Sequence, residues 1–82
     1  SNNIDSEEIE ESNVAGNNDY ILVVQVFSSS ENAKGFIEKS GENLNYIEEN
    51  GKFYVYAYSN PSREYVEQFR SVYPKDCWIK NP

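Results

Sequence analysis

The chain has 82 residues, with 14 acidic side chains against 7 basic ones, no histidine and a formal charge of −7. That length allows one domain, and the charge argues against a nucleic-acid ligand, because phosphate-backbone binding needs a Lys/Arg surface. The single cysteine, Cys77, leaves no internal disulfide and reads as a small core residue on a strand.

The first eighteen residues, Ser1 to Asn18, carry Glu7, Glu8, Glu10 and Glu11 among Asn and Ser, with only Ile4, Ile9, Val14 and Ala15 as apolar residues. So few apolar side chains cannot offset the ordering entropy, which predicts a disordered acidic linker over residues 1–18. Residues 19–82 then form the folding unit, at a size where burial barely suffices. No apolar run reaches membrane-spanning length and no signal-peptide pattern is visible. An acidic tether ahead of a small module reads as a fragment whose anchor lies upstream of Ser1.

Tyr20 to Phe27 is β-branched or aromatic nearly throughout and predicts the first strand. Ser28 to Ser30 cap a helix, with Ser28 and Glu31 at capping-box spacing. Ala33, Phe36 and Ile37 form that helix's apolar stripe, and Gly41 stands where a C-terminal glycine belongs. Leu44 to Glu49 is a second strand. Asn50-Gly51 is a type I′ hairpin signal, since both residues tolerate positive φ, and Lys52 to Tyr58 is the returning strand. Asn60 can cap a second helix with Pro61 in its first position. Val66, Phe69 and Tyr73 give that helix its inner face, and Pro74 ends it. Asp76 to Lys80 closes the chain as a short strand.

The pattern repeats internally. The segment from Val24 to Phe36 and the segment from Ala57 to Phe69 superpose at an offset of 33 positions, aligning Ser29 with Ser62, Glu31 with Glu64, Ala33 with Val66 and Phe36 with Phe69. Two strand–helix units in βαββαβ order, joined by right-handed crossovers, predict an α+β, ferredoxin-like fold. Its antiparallel sheet would have four strands in the order 4-1-3-2, with both helices on one face.

A two-residue hairpin turn pairs Glu49 with Lys52, Ile47 with Tyr54, Tyr46 with Val55, Asn45 with Tyr56 and Leu44 with Ala57. Phe53, Val55 and Ala57 then face the helices, and alternation sends Tyr54, Tyr56 and Tyr58 to the opposite, helix-free face. On the first strand Leu22, Val24 and Val26 go to the core, and Ile21, Val23 and Gln25 to the open face. That strand is apolar on both sides, which a sheet with helices on one side does not require. Something besides water should meet its outer side.

The predicted site is therefore Tyr54, Tyr56 and Tyr58 beside Val23 and Gln25, with Ile47 and Asn45 at one flank. Trp78 joins from the edge strand if Cys77 and Ile79 are the buried pair. A tyrosine on a strand can serve β-propensity alone, but three alternate tyrosines and a tryptophan on one face make an exposed aromatic patch, the usual sign of a partner. Flat rings beside amides and hydroxyls suit sugars, whose C–H faces stack while polar groups read the hydroxyls. Enzyme chemistry has no support: there is no histidine, no cysteine pair and no phosphate-cradling glycine loop. No cofactor or metal is expected either. Glu48 and Glu49 flank a turn, and Glu31 and Glu64 suit the first turns of helices.

Together, Tyr20 to Glu31 with Ala33, the Asn50-Gly51-Lys52-Phe53-Tyr54-Val55-Tyr56 hairpin, Pro61-Ser62-Arg63-Glu64 and Tyr73-Pro74-Lys75-Asp76-Cys77-Trp78-Ile79 resemble a SPOR domain, the sporulation-related repeat. The resemblance covers Tyr20 to Lys80. It implies a bacterial peptidoglycan-binding module that takes glycan strands stripped of their stem peptides on the sheet face away from the helices. It also implies localisation to the division septum, in the periplasm, behind a membrane or lipoprotein anchor. The family's first-strand Gln-x-Gly-Ser-Phe run falls on Val23 to Phe27, so Val23 stands for the glycan-contacting Gln, Gln25 for the Gly and Val26 for the Ser. Tyr54 stands where an Arg is frequent, and Tyr58-Ser59-Asn60 replaces a Gly-Pro-Phe. These changes remove polar contacts and add aromatic ones. The alternative expectation is a protein-interaction module that dimerises or binds a partner through the same face.

Overall fold

In the computed structural model, which describes residues 14–82, the chain forms β1 (Tyr20–Phe27), α1 (Ser30–Ser40), β2 (Asn45–Glu49), β3 (Lys52–Asn60), α2 (Arg63–Arg70) and β4 (Trp78–Lys80). The strands make one antiparallel sheet in the order β2-β3-β1-β4, the expected order read from the other edge. This is the ferredoxin-like βαββαβ arrangement. Most of the acidic stretch expected as a linker, residues 1–13, lies outside the described residues.

The two helices start alike. Ser29 is extended, and its hydroxyl oxygen accepts the Asn32 N–H at 3.2 Å. Ser62 does the same for the Tyr65 N–H at 3.3 Å. Each thus satisfies one of the donors a helix leaves unpaired at its start. These are the serines that the internal repeat aligns. The expected caps, Ser28 and Asn60, are each displaced. Asn60 still belongs to β3, where it pairs with Tyr20, and its side-chain oxygen accepts the Ser62 N–H at 2.9 Å. Pro61 therefore precedes the cap and does not open the helix. Gly41 ends α1 with a left-handed φ of 69°, and the hairpin turns at Asn50 (φ 55°) and Gly51 (φ 79°). The five hairpin pairs from Asn45–Tyr56 to Glu49–Lys52 stand in the expected register.

The helix-side core holds Ala33, Leu44 and Val55, with Val24, Phe27, Phe36, Ile37, Tyr46, Phe53 and Ala57 around them. Two shifts in the β1–β3 register decide what else lies on each side. Ile21 faces Ser59 and Val23 faces Tyr56, so two steps of β1 span three of β3; Val23 to Gln25 then spans only the step from Tyr56 to Val55. The first shift puts an extra residue in β3 at Ala57–Tyr58 and the second puts one in β1 at Val24–Gln25, the pattern of β-bulges. They cancel in register but not in facing. Tyr58 turns to the helix side, where it stacks on Phe69 of α2 with centroids 4.1 Å apart and planes at 11°. Val26, expected in the core, comes to the open face with Tyr54.

β4 begins at Trp78, later than expected, so Cys77 precedes the strand and is half-buried against the Arg70 carbonyl at 3.8 Å. Burial raises its thiol pKa.

Candidate functional site

Strand pairing lays two rows across the helix-free face. One runs Trp78, Val23, Tyr56, Asn45, and the next Val26, Tyr54, Ile47. Trp78 stands at the edge because β4 has three residues and pairs only with Ile21, Leu22 and Val23. It is 45 % exposed and meets Tyr54 edge-on, with centroids 6.1 Å apart and planes at 77°, a geometry favoured by the ring quadrupoles. Lys80 reaches over the same face. Its ammonium lies 5.2 Å from the Tyr54 ring centroid and forms an ion pair with Glu49, which leaves the lysine side chain 15 % exposed.

Of the seven residues expected to form the site, five lie on this face: Trp78, Tyr54, Tyr56, Val23 and Ile47. Tyr58 is not among them, for the bulge turns it to α2. Gln25 is exposed, but the second bulge pairs it with Val55, a helix-side residue. Trp78 and Tyr54 meet, while Val23 and Tyr56 are buried, Val23 completely and Tyr56 to within 1 %.

The cover over Tyr56 comes from a part of the chain expected to be linker. The Ala15 N–H donates to the Tyr56 hydroxyl at 2.9 Å, and the Ala15 side chain packs on the cluster of Ile21, Val23 and Tyr56. A tight turn follows. The Gly16 N–H donates to the Asp19 carboxylate at 2.8 Å, and the Asp19 N–H donates to the Gly16 carbonyl at 3.3 Å. Burial pushes the Tyr56 phenol above its ordinary pKa, the Ala15 hydrogen bond opposes that, and the nearby Asp19 charge adds to it. The ordered domain thus begins before Asp19, and the outer apolar side of β1 is met by the chain itself. Sequence reasoning missed Ala15, Asp19 and Lys80. The available signal was the Gly16–Asp19 pair, a turn-forming spacing directly ahead of a strand apolar on both sides.

Between this segment and the end of the chain is a shallow depression of about 250 Å³, lined by Ala15, Asp19, Ile21, Ile47, Glu49 and Lys80 among others. A second, of about 450 Å³, lies on the helix side over Leu44, Ala57 and Tyr58. At its rim the Tyr73 hydroxyl donates to Glu42 at 2.8 Å, and Lys75 approaches the other carboxylate oxygen at 3.4 Å. Burial, then the Glu42 hydrogen bond, push the Tyr73 phenol up to about 12. The Tyr73 hydrogen bond, followed by Lys75, holds the Glu42 carboxyl below its ordinary pKa.

No family model, curated protein or solved structure matches the chain. Among the described residues no group of three or more His, Cys, Asp or Glu side chains could hold a metal ion, and no helix is long and apolar enough to cross a membrane. What the helix-free face offers is an exposed indole braced by a phenol, bordered by an ion pair, beside an aromatic row under a peptide cover. Such a surface can stack on a flat apolar ring face and exchange hydrogen bonds at its margin.

Proposed function

We propose that this chain is a non-catalytic module that binds peptidoglycan glycan strands on the helix-free face of its sheet and brings the protein carrying it to the bacterial cell wall or division septum. The observation that carries the reading is Trp78, 45 % exposed at the sheet edge and held edge-on by Tyr54. A pyranose presents an apolar C–H face to such a ring and leaves its hydroxyls and N-acetyl amide for polar neighbours. Lys80 crosses one side of the Tyr54 ring, so Tyr54 acts by orienting Trp78. The same strand order and the same face were implied by the resemblance to SPOR domains, which supports the choice of glycan.

The test is a pull-down on amidase-treated sacculi, quantified by titration with soluble denuded strands. Stacking on an aromatic side chain contributes roughly 1–3 kcal/mol on the base–aromatic scale. Trp78→Ala should therefore weaken binding by about ten- to a hundredfold, and Tyr54→Ala by less. Undiminished binding by Trp78→Ala overturns the proposal. A module that instead dimerised through this face would bury Trp78 and Tyr54 against a second copy, and a concentration-dependent dimer in light scattering would favour that reading.

A further inference from the structure

The hairpin leaves one cation of the helix-free face without a counter-charge. Glu49 and Lys52 stand directly opposite each other across the Asn50-Gly51 turn, a position in which opposite charges ordinarily pair. Here the Glu49 carboxylate turns instead to Lys80, and Lys52 is exposed with no ion pair among the described residues. The other cations without an ion pair among those residues, Lys34, Lys39 and Arg70, belong to the helices. Lys52 alone stands on the sheet.

It belongs to the same side as the aromatic rows. β3 keeps a regular register with β2 from Lys52 to Tyr56, so alternation sends Lys52, Tyr54 and Tyr56 to one face while Phe53 joins the helix-side core. Lys52 lies two residues from Tyr54, roughly 7 Å along the strand, and Tyr54 in turn meets Trp78 at 6.1 Å. Beside Lys52, Val26, Phe27 and Ser28 complete the lining of a shallow depression of about 300 Å³. The Ser28 hydroxyl is not used to cap α1, since Ser29 does that. An apolar floor with an ammonium and a hydroxyl at its rim, next to the Trp78–Tyr54 pair, suits an anionic substituent on a saccharide that stacks on Trp78.

We infer that Lys52 is the specificity-determining residue that reads the charge of the glycan, by pairing with the lactyl carboxylate of its muramic acid residues, an inference that rests on the glycan-binding reading above. In a strand that still carries its stem peptides, that carboxyl is bound as a neutral amide. Hydrolysis of the amide frees a carboxylate, so the charge exists only where the peptide has been removed. A chain of formal charge −7 offers an anion no general attraction, and a preference for the charged strand has to come from a placed cation. Lys80 also reaches this face, but its ammonium is engaged by Glu49 and lies over the Tyr54 ring. At Lys52 a carboxylate gains a partner without breaking an ion pair.

Calorimetric titration of the full chain with two probes tests this: denuded strands, and the same strands with their lactyl carboxylates capped as neutral methylamides. On the scale of an exposed charge pair, the parent should bind the charged strands about fivefold tighter than the capped ones. The difference should shrink as salt is added. Lys52→Gln keeps a polar side chain without the charge and should bind both probes alike, while Lys52→Arg should keep the preference. Trp78→Ala should weaken both probes by the same factor, because the indole meets the sugar ring and not the carboxylate. Equal affinity of the parent for the two probes overturns the role of Lys52 and leaves the glycan reading standing. A preference that Lys52→Gln retains and Lys80→Gln loses also overturns it, by moving the contact to Lys80. Failure of the parent to bind either probe overturns the glycan reading, and this inference with it.

Discussion

The side on which Tyr58 lies can be measured, because the Tyr58–Phe69 stack exists only if β3 is bulged. Leucine is the appropriate replacement at both positions, since a domain of this size carries only about 3–5 kcal/mol of stability and alanine could unfold it. An offset-stacked or edge-to-face pair contributes ~0.5–1.5 kcal/mol beyond its area. Phe69 makes two such contacts, the stack on Tyr58 at 4.1 Å and an edge contact with Tyr65 at 5.1 Å. Phe69→Leu should thus cost about 1–3 kcal/mol and Tyr58→Leu about 1 kcal/mol. The double variant should fall short of the sum by about 1 kcal/mol, because the stack can be lost only once. Urea unfolding reads this well: with an m-value of roughly 1 kcal/mol/M, the non-additivity is about 1 M in the midpoint. Residues on opposite faces of a sheet share no contact. A coupling under ~0.3 kcal/mol would therefore return Tyr58 to the open face and refute the bulge.

The caps assigned to the repeat give a second test. Ser29→Ala and Ser62→Ala should each cost about 1 kcal/mol, or roughly 4–8 °C in the thermal midpoint. Ser28→Ala should stay within ~0.5 kcal/mol, and a larger loss at Ser28 than at Ser29 would reject the assignment. Stability should also fall at both ends of the pH range. The phenols of Tyr56 and Tyr73 are raised in the folded chain, the latter to about 12, so the unfolded chain loses these protons first. Their contribution is complete below pH 10 and declines as pH rises towards 12. Glu42 is lowered from its usual 4.5, so its contribution is present above that value and is lost as pH falls below it. Urea midpoints measured across pH should show both declines, and Tyr73→Phe should flatten each of them. A midpoint unchanged from pH 9 to 12 would contradict the alkaline half.

The topology was legible because each local signal pointed to the same arrangement. Asn50-Gly51 fixed the hairpin register, whereas the capping-box spacing at Ser28 and the cap expected at Asn60 each missed the capping serine, Ser29 and Ser62, which the repeat aligns with one another. The facing of β1 and β3 was not legible. Alternation is a rule for regular strands, and a bulge is one extra residue whose cause lies in how the partner strand must bend. Tyr58 and Val26 are chemically acceptable on either side, so nothing in their identity announces the switch. Gln25 differs in being polar, yet a polar residue at a bulge and a polar residue on an open face look alike in sequence. Composition also concealed the cover, because Ala15 is indistinguishable from its linker neighbours until the Tyr56 hydroxyl is seen to accept its N–H.

The bulges and the cover together explain why Trp78 alone stays open. Had β3 alternated regularly, three tyrosines would line the outer face; the bulge at Ala57–Tyr58 spends one of them on α2. Of the two that remain, Tyr54 lies under Lys80 and Tyr56 under Ala15. Neither cover reaches the edge, because β4 pairs with only three residues of β1 and begins at Trp78 itself.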